Sequence, residues 1–559
     1  MRRLGVWILV LMLTASLWAP VQAQSDQVEK EVTPEAQVPL IVDANGDKVM
    51  DDLAARMATA GAQDSVNVIV VFSQPASAAA YQAVEKAAGQ IAYRAQWDLA
   101  LQGFAASLTP GQIKALQRLP VVSQIDLDRP VQAFLGGAHP WTGVNKARTD
   151  YGVDGSRDSS STSYSTTDVV VAILDTGIDA AHVDLDAGKV LGWRDEINGR
   201  TSPYDDHGHG THVASIVAGT GEGNGVDKGV APGAGLVGIK VLDGNGSGTT
   251  TGIINGINWM IANKDTYKIR AANMSLGSSG CSDGTDSLST AVNNAVDKGI
   301  IMVVAAGNSG PAKCTIGSPA AAAKAITVGA SYDPAEKGWA LAEFSSRGPT
   351  YDGRVKPDIV APGRYINAAK ANSSNGYVIY SGTSMATPYA AGVVALMLDA
   401  NYALTDSNVK TILYGSGNYE DWGPAGKEID YGYGMLLAYN AVKSAAGGTG
   451  SFEDGIGHGY ASGSLSGTGD ADLYSISVSD TTKPLAVTFM IPDHACRGAK
   501  CSPDFDIYLY NPSGNLVAQS IGTKRQEWIL IYPSTTGTWT LRVYSYSGSG
   551  SYFFDVSAK

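Results

Sequence analysis

Basic charge is scarce in this sequence. Forty Lys and Arg stand against 53 Asp and Glu, for a formal net charge of −13 at pH 7, and no basic patch runs long enough to track a phosphate backbone. Nucleic acid is therefore not an expected partner. Beyond the amino-terminal segment no apolar stretch reaches the roughly 20 residues that span a bilayer. Cysteine is rare as well, with Cys281, Cys314, Cys496 and Cys501 the only four. Four cysteines allow three pairings, and the local one, Cys281 with Cys314 and Cys496 with Cys501, is expected in an exported chain, the alternative being buried thiols. No histidine stands beside them at ligand spacing, which disfavours zinc.

What is present is organised in stretches of distinct texture. Arg2 and Arg3 precede an apolar run from Leu4 to Trp18 and a small-x-small site, Val21-Gln22-Ala23, so residues 1–23 read as a signal peptide cut after Ala23. Residues 24–63 are acidic. Their Asp43-Ala44-Asn45-Gly46-Asp47 resembles the start of a calcium loop without its closing Glu, and a solvated turn fits equally well. Residues 64–134 alternate strands (66–72, 103–108, 121–127) with helices, as in an α+β ferredoxin-like unit. From 135 to 446 short apolar runs alternate with helical segments, implying an α/β parallel sheet covered by helices on both faces. After the flexible boundary Ala446-Gly447-Gly448-Thr449-Gly450, residues 447–559 turn to period-two alternation, the pattern of a β-sandwich.

Three residues carry complementary chemistry. Asp175 ends the apolar strand Val171-Ala-Ile-Leu-Asp175, where a carboxylate is costly unless something meets it. His209 lies between glycines in His207-Gly-His209-Gly-Thr-His212, and Gly in place of the Glu of a zinc-protease motif argues against metal. His207 and His212 read as a loop residue and a packed helix residue. Ser384 opens an apolar helix in Ser381-Gly-Thr-Ser384-Met-Ala, so its own N–H and the helix dipole face whatever binds there. Singly these are a strand-end turn, a loop histidine and an N-cap. Together they are a nucleophile, the base that activates it and the carboxylate that orients the base.

Five ordered motifs carry a resemblance: Asp175-Thr-Gly-Ile-Asp179, His209-Gly-Thr-His212-Val-Ala, Asn273-Met-Ser-Leu-Gly277, Ala305-Ala-Gly-Asn308 and Gly382-Thr-Ser384-Met-Ala-Thr-Pro388. With the order Asp, His, Ser they resemble the subtilisin-like serine proteases, the subtilases. The resemblance implies a subtilisin-like fold and a serine endopeptidase acting on proteins or peptides without a cofactor for its chemistry, structural calcium aside. It implies that Asn308 donates its amide to the oxyanion. It further implies that Ser275, Leu276, Gly277, Ala305, Ala306 and Gly307 line the first specificity pocket, with Gly317 as its floor. Gly246, Ser247 and Gly248 would form an edge for an extended substrate. A calcium loop that many subtilases insert after the histidine helix is not carried over, because Gly219 to Asp227 is short.

The flanks resemble further parts of such precursors. Residues 64–134, with Gly103-Phe-Ala-Ala-Ser-Leu-Thr-Pro-Gly-Gln-Ile113, resemble an inhibitor-like propeptide, with self-cleavage expected near Phe134. The tail resembles the bacterial pre-peptidase C-terminal domain through Asp470-Ala-Asp472, Asp504-Phe-Asp506 and Gly537-Thr-Trp-Thr-Leu-Arg-Val543, its paired aspartates being either calcium ligands or turn closers. The expectation is thus a secreted, extracellular monomer, free of membrane once the signal is removed, with its own propeptide as intramolecular inhibitor.

Overall fold

The structure is a computed structural model. It describes residues 23–24, 47–49, 51–61, 64–97, 102–127, 142–158, 160, 162–332, 340–452, 457–497 and 500–559. Residues 1–22 of the expected signal peptide 1–23, the turn residues Asp43–Gly46 and the expected cleavage region around Phe134 lie outside the described residues. Among the described residues no helix is long and apolar enough to cross a membrane.

The first unit is a four-stranded antiparallel sheet in the order Tyr93–Trp97, Gly103–Leu108, Val66–Phe72, Val122–Leu127. Val66, Val68, Val70 and Phe72 alternate inward, so one face of that strand meets the helices Ala78–Ala88 and Pro110–Gln117. Thr109 starts the second helix with a capping box: its hydroxyl accepts from Gln112 N–H and the Gln112 side chain accepts from Thr109 N–H. The Tyr93–Trp97 strand was not expected. Arg94 and Gln96 interrupt its apolar pattern, and it exists because Gly103–Leu108 offers it an edge.

The central unit is built on a parallel sheet. Its order is Met435–Leu436, Ile359–Pro362, Ile326–Tyr332, Ile301–Ala305, Ile269–Met274, Val170–Asp175, Gly235–Lys240, Val190–Asp195, with short antiparallel additions at Tyr419–Glu420 and Ala340–Leu341. Val171 and Ile173 point into one core and Val170, Ala172 and Leu174 into the other. A strand buried on both faces has no polar side, so the sequence there is continuously apolar. The helices His209–Ala218 and Thr383–Ala400 cover the first face, and Thr250–Tyr267 and Ser287–Asp297 the second. The short apolar runs that the sequence marks as strands here, 169–174, 236–242, 271–275, 300–306 and 326–330, agree with the observed strands to within two residues at every end.

The carboxyl-terminal unit is two antiparallel sheets face to face. One runs Gly457–Leu465, Gly550–Ala558, Leu485–Met490, Gln526–Ile531; the other contains Ala471–Val478, Gly537–Ser547, Asp504–Tyr510 and Leu516–Ser520. Ile476, Phe489, Ile507, Trp539 and Phe554 fill the space between them. Asp470 closes a turn, accepting from Ser466 and Ala471 N–H, and Asp472 accepts from the Tyr552 hydroxyl. Asp506 accepts from the Tyr508 hydroxyl at 3.2 Å, while one Asp504 oxygen is buried without a hydrogen-bond partner. Among the described residues no three His, Cys, Asp or Glu converge as a metal cluster.

Candidate active site

Strand ends place the polar groups. Asp175 is the last residue of Val170–Asp175 and has no exposed surface. Its Oδ1 accepts from Thr176 N–H at 2.8 Å and meets His209 Nδ1 at 2.7 Å. His209 is the first residue of its helix, after Gly208 at φ 102°, a left-handed turn that glycine makes without strain. The contact to Asp175 fixes the proton on Nδ1 and leaves Nε2 for other work.

A second carboxylate braces the turn that carries the imidazole. Asp205 is buried, and its Oδ1 accepts from Thr176 Oγ1 and from the N–H groups of His207 and Gly208. Its Oδ2 accepts from the N–H and hydroxyl of Thr211. Burial pushes this carboxyl up, but these donors outweigh it and hold it below the ordinary carboxylate value. Thr176 Oγ1 in turn accepts from Gly210 N–H at 2.8 Å, tying the strand to the first turn of the histidine helix. For His209 burial pulls the imidazole down, while the charge and hydrogen bond of Asp175 and the charge of Asp205 together carry it above its ordinary value.

Ser384 is the second residue of the helix Thr383–Ala400, among the first-turn N–H groups that a helix leaves without an internal acceptor. Its hydroxyl donates to the Ser275 carbonyl at 3.3 Å, and its own carbonyl accepts from Ser275 Oγ at 2.8 Å. Ser275 Oγ also accepts from Asn273 Nδ2 at 3.0 Å. Asn308 Oδ1 accepts from both the N–H and the hydroxyl of Thr383, at 2.9 and 3.0 Å. Because an amide N–H can only donate, this identifies the Asn308 oxygen and turns Nδ2 toward Gly382 and the neighbouring cavity.

Two adjoining cavities open here. One of about 650 Å³ is lined by Thr176, His207, His209, Gly246, Ser247, Gly248 and Ser275–Ser278. The other, about 300 Å³, is lined by Ser275–Ser279, Ala305–Ser309, Thr315, Thr383 and Ser384. Ser275 to Ser278 form the wall common to both, so the histidine and the serine stand on either side of one ridge.

Known proteins resemble this chain over its central and carboxyl-terminal units. The Subtilase family model matches residues 166–434, and that of the Bacterial pre-peptidase C-terminal domain matches residues 470–545. The chain is 43% identical to serine protease AprX of Bacillus subtilis over 49% of its own length and 66% of that protein's. It is 34% identical to alkaline serine exoprotease A of Vibrio alginolyticus, over 62% of each chain. Against subtilisin E of Bacillus subtilis it is 34% identical, over 61% of this chain and 80% of that one. The chain belongs to the subtilase family.

The subtilase expectations fall on this site unevenly. Asp175 and His209 are in contact, Asn308 is bonded to Thr383 beside Ser384, and His209 and Ser384 line adjoining cavities; Ser275, Leu276, Gly277, Ala305, Ala306 and Gly307 lie around the smaller cavity and Gly246 to Gly248 on the larger one. Gly317 is the exception. It does not line the cavity, and a Cβ there would stand 1.9 Å from the Ser278 carbonyl oxygen, so close backbone approach accounts for the glycine. His212 is a buried helix residue whose Nε2 donates to the Ile366 and Val378 carbonyls, and burial lowers it to about 3. His207 is exposed and accepts from His209 N–H on Nδ1.

Asp184 accepts from Gly223 N–H and from the Tyr377 hydroxyl, and Asp227 from Asn224 and Asn367. The disulfide Cys281–Cys314 is formed, with Cα atoms 4.9 Å apart, and it braces the chain leading to Thr315. Backbone pairing sets Cys496 opposite Cys501, while their side chains lie outside the described residues. Asp205 went unread in the sequence, where the doublet Asp205-Asp206 just before His207 was the available signal; Asn273 was read only as the start of its motif, without its bond to Ser275.

Proposed function

We propose that this chain is a secreted serine endopeptidase, hydrolysing internal peptide bonds of proteins through an acyl-enzyme on Ser384 and made as a self-inhibited precursor. The observation that carries this is the 2.7 Å contact between Asp175 and His209 Nδ1 at the mouth of the cleft, which leaves Nε2 free to take the Ser384 proton. The long hydrogen bond from Ser384 to Ser275 is released by rotation about χ1 as substrate binds. Ser384 Oγ then attacks the carbonyl carbon, and the oxyanion is met by Ser384 N–H and Asn308 Nδ2. His209 returns its proton to the leaving amine, and water repeats the sequence on the ester. No step calls for a cofactor.

Substrate backbone would lie as an extra strand between Gly246–Gly248 and Ser275–Gly277, with a side chain in the cavity bounded by Ala305–Gly307. Residues 64–134 would block this cleft before release, with self-cleavage near Phe134. Labelling with a fluorophosphonate probe tests the reading: the matured protein should label stoichiometrically and Ser384→Ala should not. A matured wild-type protein that stays unlabelled overturns it. Amino-terminal sequencing checks the processing, and a mature terminus upstream of residue 64 would contradict it.

A further inference from the structure

The carboxyl-terminal sandwich is seated on the central unit by contacts of the kind found inside domains. Met490 and Phe553 of the sandwich share one apolar cluster with Leu341, Val360, Trp422, Tyr431 and Met435. Around it, Gln526 Nε2 donates to the Leu341 carbonyl at 2.8 Å, and Leu341 N–H donates to Thr488 Oγ1 at 3.3 Å. Arg525 grips Asp430 with both terminal nitrogens, at 2.5 and 2.9 Å, and all three of Arg525, Asp430 and Arg347 are buried. Such a planar bidentate pair fixes direction as well as distance.

One of these contacts reaches further. Arg525 Nη1 also donates to the carbonyl of Pro311, at 3.2 Å, in the loop that carries Asn308. The same loop is held along its length by the segment Phe344–Arg347. Gly310 N–H donates to the Phe344 carbonyl at 2.8 Å, Ser346 N–H to the Gly307 carbonyl at 2.9 Å, and Ser309 N–H to Ser346 Oγ at 3.1 Å. Arg347 N–H donates to Thr315 Oγ1 at 2.8 Å, and the Arg347 guanidinium donates to Gln526 Oε1 at 2.6 Å. The sandwich therefore touches the loop directly through Arg525, and through Gln526 it holds the strap that backs the loop.

Resting on the peptidase reading above, we propose that the sandwich is a working part of the mature enzyme: Arg525 and Gln526 are positioning residues that hold the Asn308 loop, and with it the oxyanion donor and the wall of the smaller cavity. Neither residue touches substrate. They act through Pro311, Arg347 and the backbone of 307–315. The interface follows from groups that lie far apart in sequence, which a detachable tail joined by a flexible boundary would not require.

The test compares Arg525→Met and Arg525→Lys with Asp555→Asn. Asp555 accepts from Gly423 N–H across the same interface and meets His458 within the sandwich, yet its hydrogen bonds reach no residue of the Asn308 loop. Amide hydrogen exchange is read on the full processed protein. Arg525→Met should exchange about tenfold faster at 307–315 while 209–218 keeps its rate, and Asp555→Asn should leave 307–315 alone. Kinetics per fluorophosphonate-titrated site should show kcat lowered roughly 10- to 100-fold in Arg525→Met, with KM changed much less. Arg525→Lys, which keeps one contact to Asp430, should fall between. If Arg525→Met does not fold, the lysine variant alone decides, by the same two measurements. Unchanged exchange at 307–315, or equal kcat losses in the Arg525 and Asp555 variants, overturns the positioning role. Hydrogen exchange needs no turnover, so a wild-type protein that fails to label would count against the peptidase reading and leave this measurement intact.

Discussion

Asn308 has two separable jobs, and two substitutions divide them. Its oxygen takes the N–H and hydroxyl of Thr383, which sets the first turn of the serine helix, while its Nδ2 faces the cavity. Asn308→Ala removes both functions. Losing two partly buried hydrogen bonds should lower stability by roughly 1–3 kcal/mol, and losing the amide donor should lower kcat by ~10²–10³. The kinetic figure is the one known for subtilisin itself, so it is a family benchmark that this chain should meet. Asn308→Asp keeps an acceptor for Thr383 and so should keep most of the stability. It presents an oxygen where a donor stood, and should lose at least as much kcat as the alanine variant. KM should move little in either, because the interaction forms only as charge develops. The assay is steady-state hydrolysis of a peptide anilide, normalised by active-site titration to completion, beside denaturant midpoints for both variants. Asn308→Asp within about tenfold of wild type in kcat would refute the oxyanion assignment.

Activity should follow the neutral fraction of His209, so kcat/KM should fall on acidification with a midpoint above the usual imidazole value, because Asp175 and Asp205 hold the ring up. Asp205→Asn should move that midpoint down; a midpoint unchanged in the variant's pH profile would remove Asp205 from the account. Gly317→Ala should cost roughly 1–3 kcal/mol in an unfolding titration by forcing the chain away from Ser278, whereas a pocket-floor role would change specificity and leave stability intact. Replacing Cys281 and Cys314 together by serine should lower stability by about 4 kcal/mol for a loop of 33 residues, read as a shift in the denaturant midpoint.

The strands and the motifs that carry the candidate triad were legible because each is a local string. Val171 to Leu174 is apolar at every position because it meets a core on both faces, and Gly208 and Gly210 are visible beside His209. What escaped depends on pairing across distance. Tyr93–Trp97 is a strand only because Gly103–Leu108 lies beside it, and Gly317 is glycine because of a carbonyl 39 positions earlier, a spacing no motif marks. Arg525 and Asp430 are separated by 95 residues, and each read alone is an ordinary surface charge. The Asp205 network has five donors from four residues, three of them backbone groups whose direction only the folded turn supplies.

His212 lies one turn beyond His209 on the same helix, and its proton balance runs the opposite way. His209 binds its proton more tightly when folded, a contribution to stability that is full below the unfolded value near 6.5 and gone once pH has risen through its higher folded value. His212, lowered to about 3, resists protonation when folded, so each pH unit lost between 6.5 and 3 weakens the fold by about 1.4 kcal/mol at most. Mild acid therefore merely switches the base off, and neutral buffer restores it. Deeper acid draws a second proton toward an imidazole wedged between the Ile366 and Val378 carbonyls, and the helix that carries the base comes loose from the hairpin that anchors it. The loss of the base and the weakening of the fold are thus set at different pH by two histidines of one helix, three residues apart.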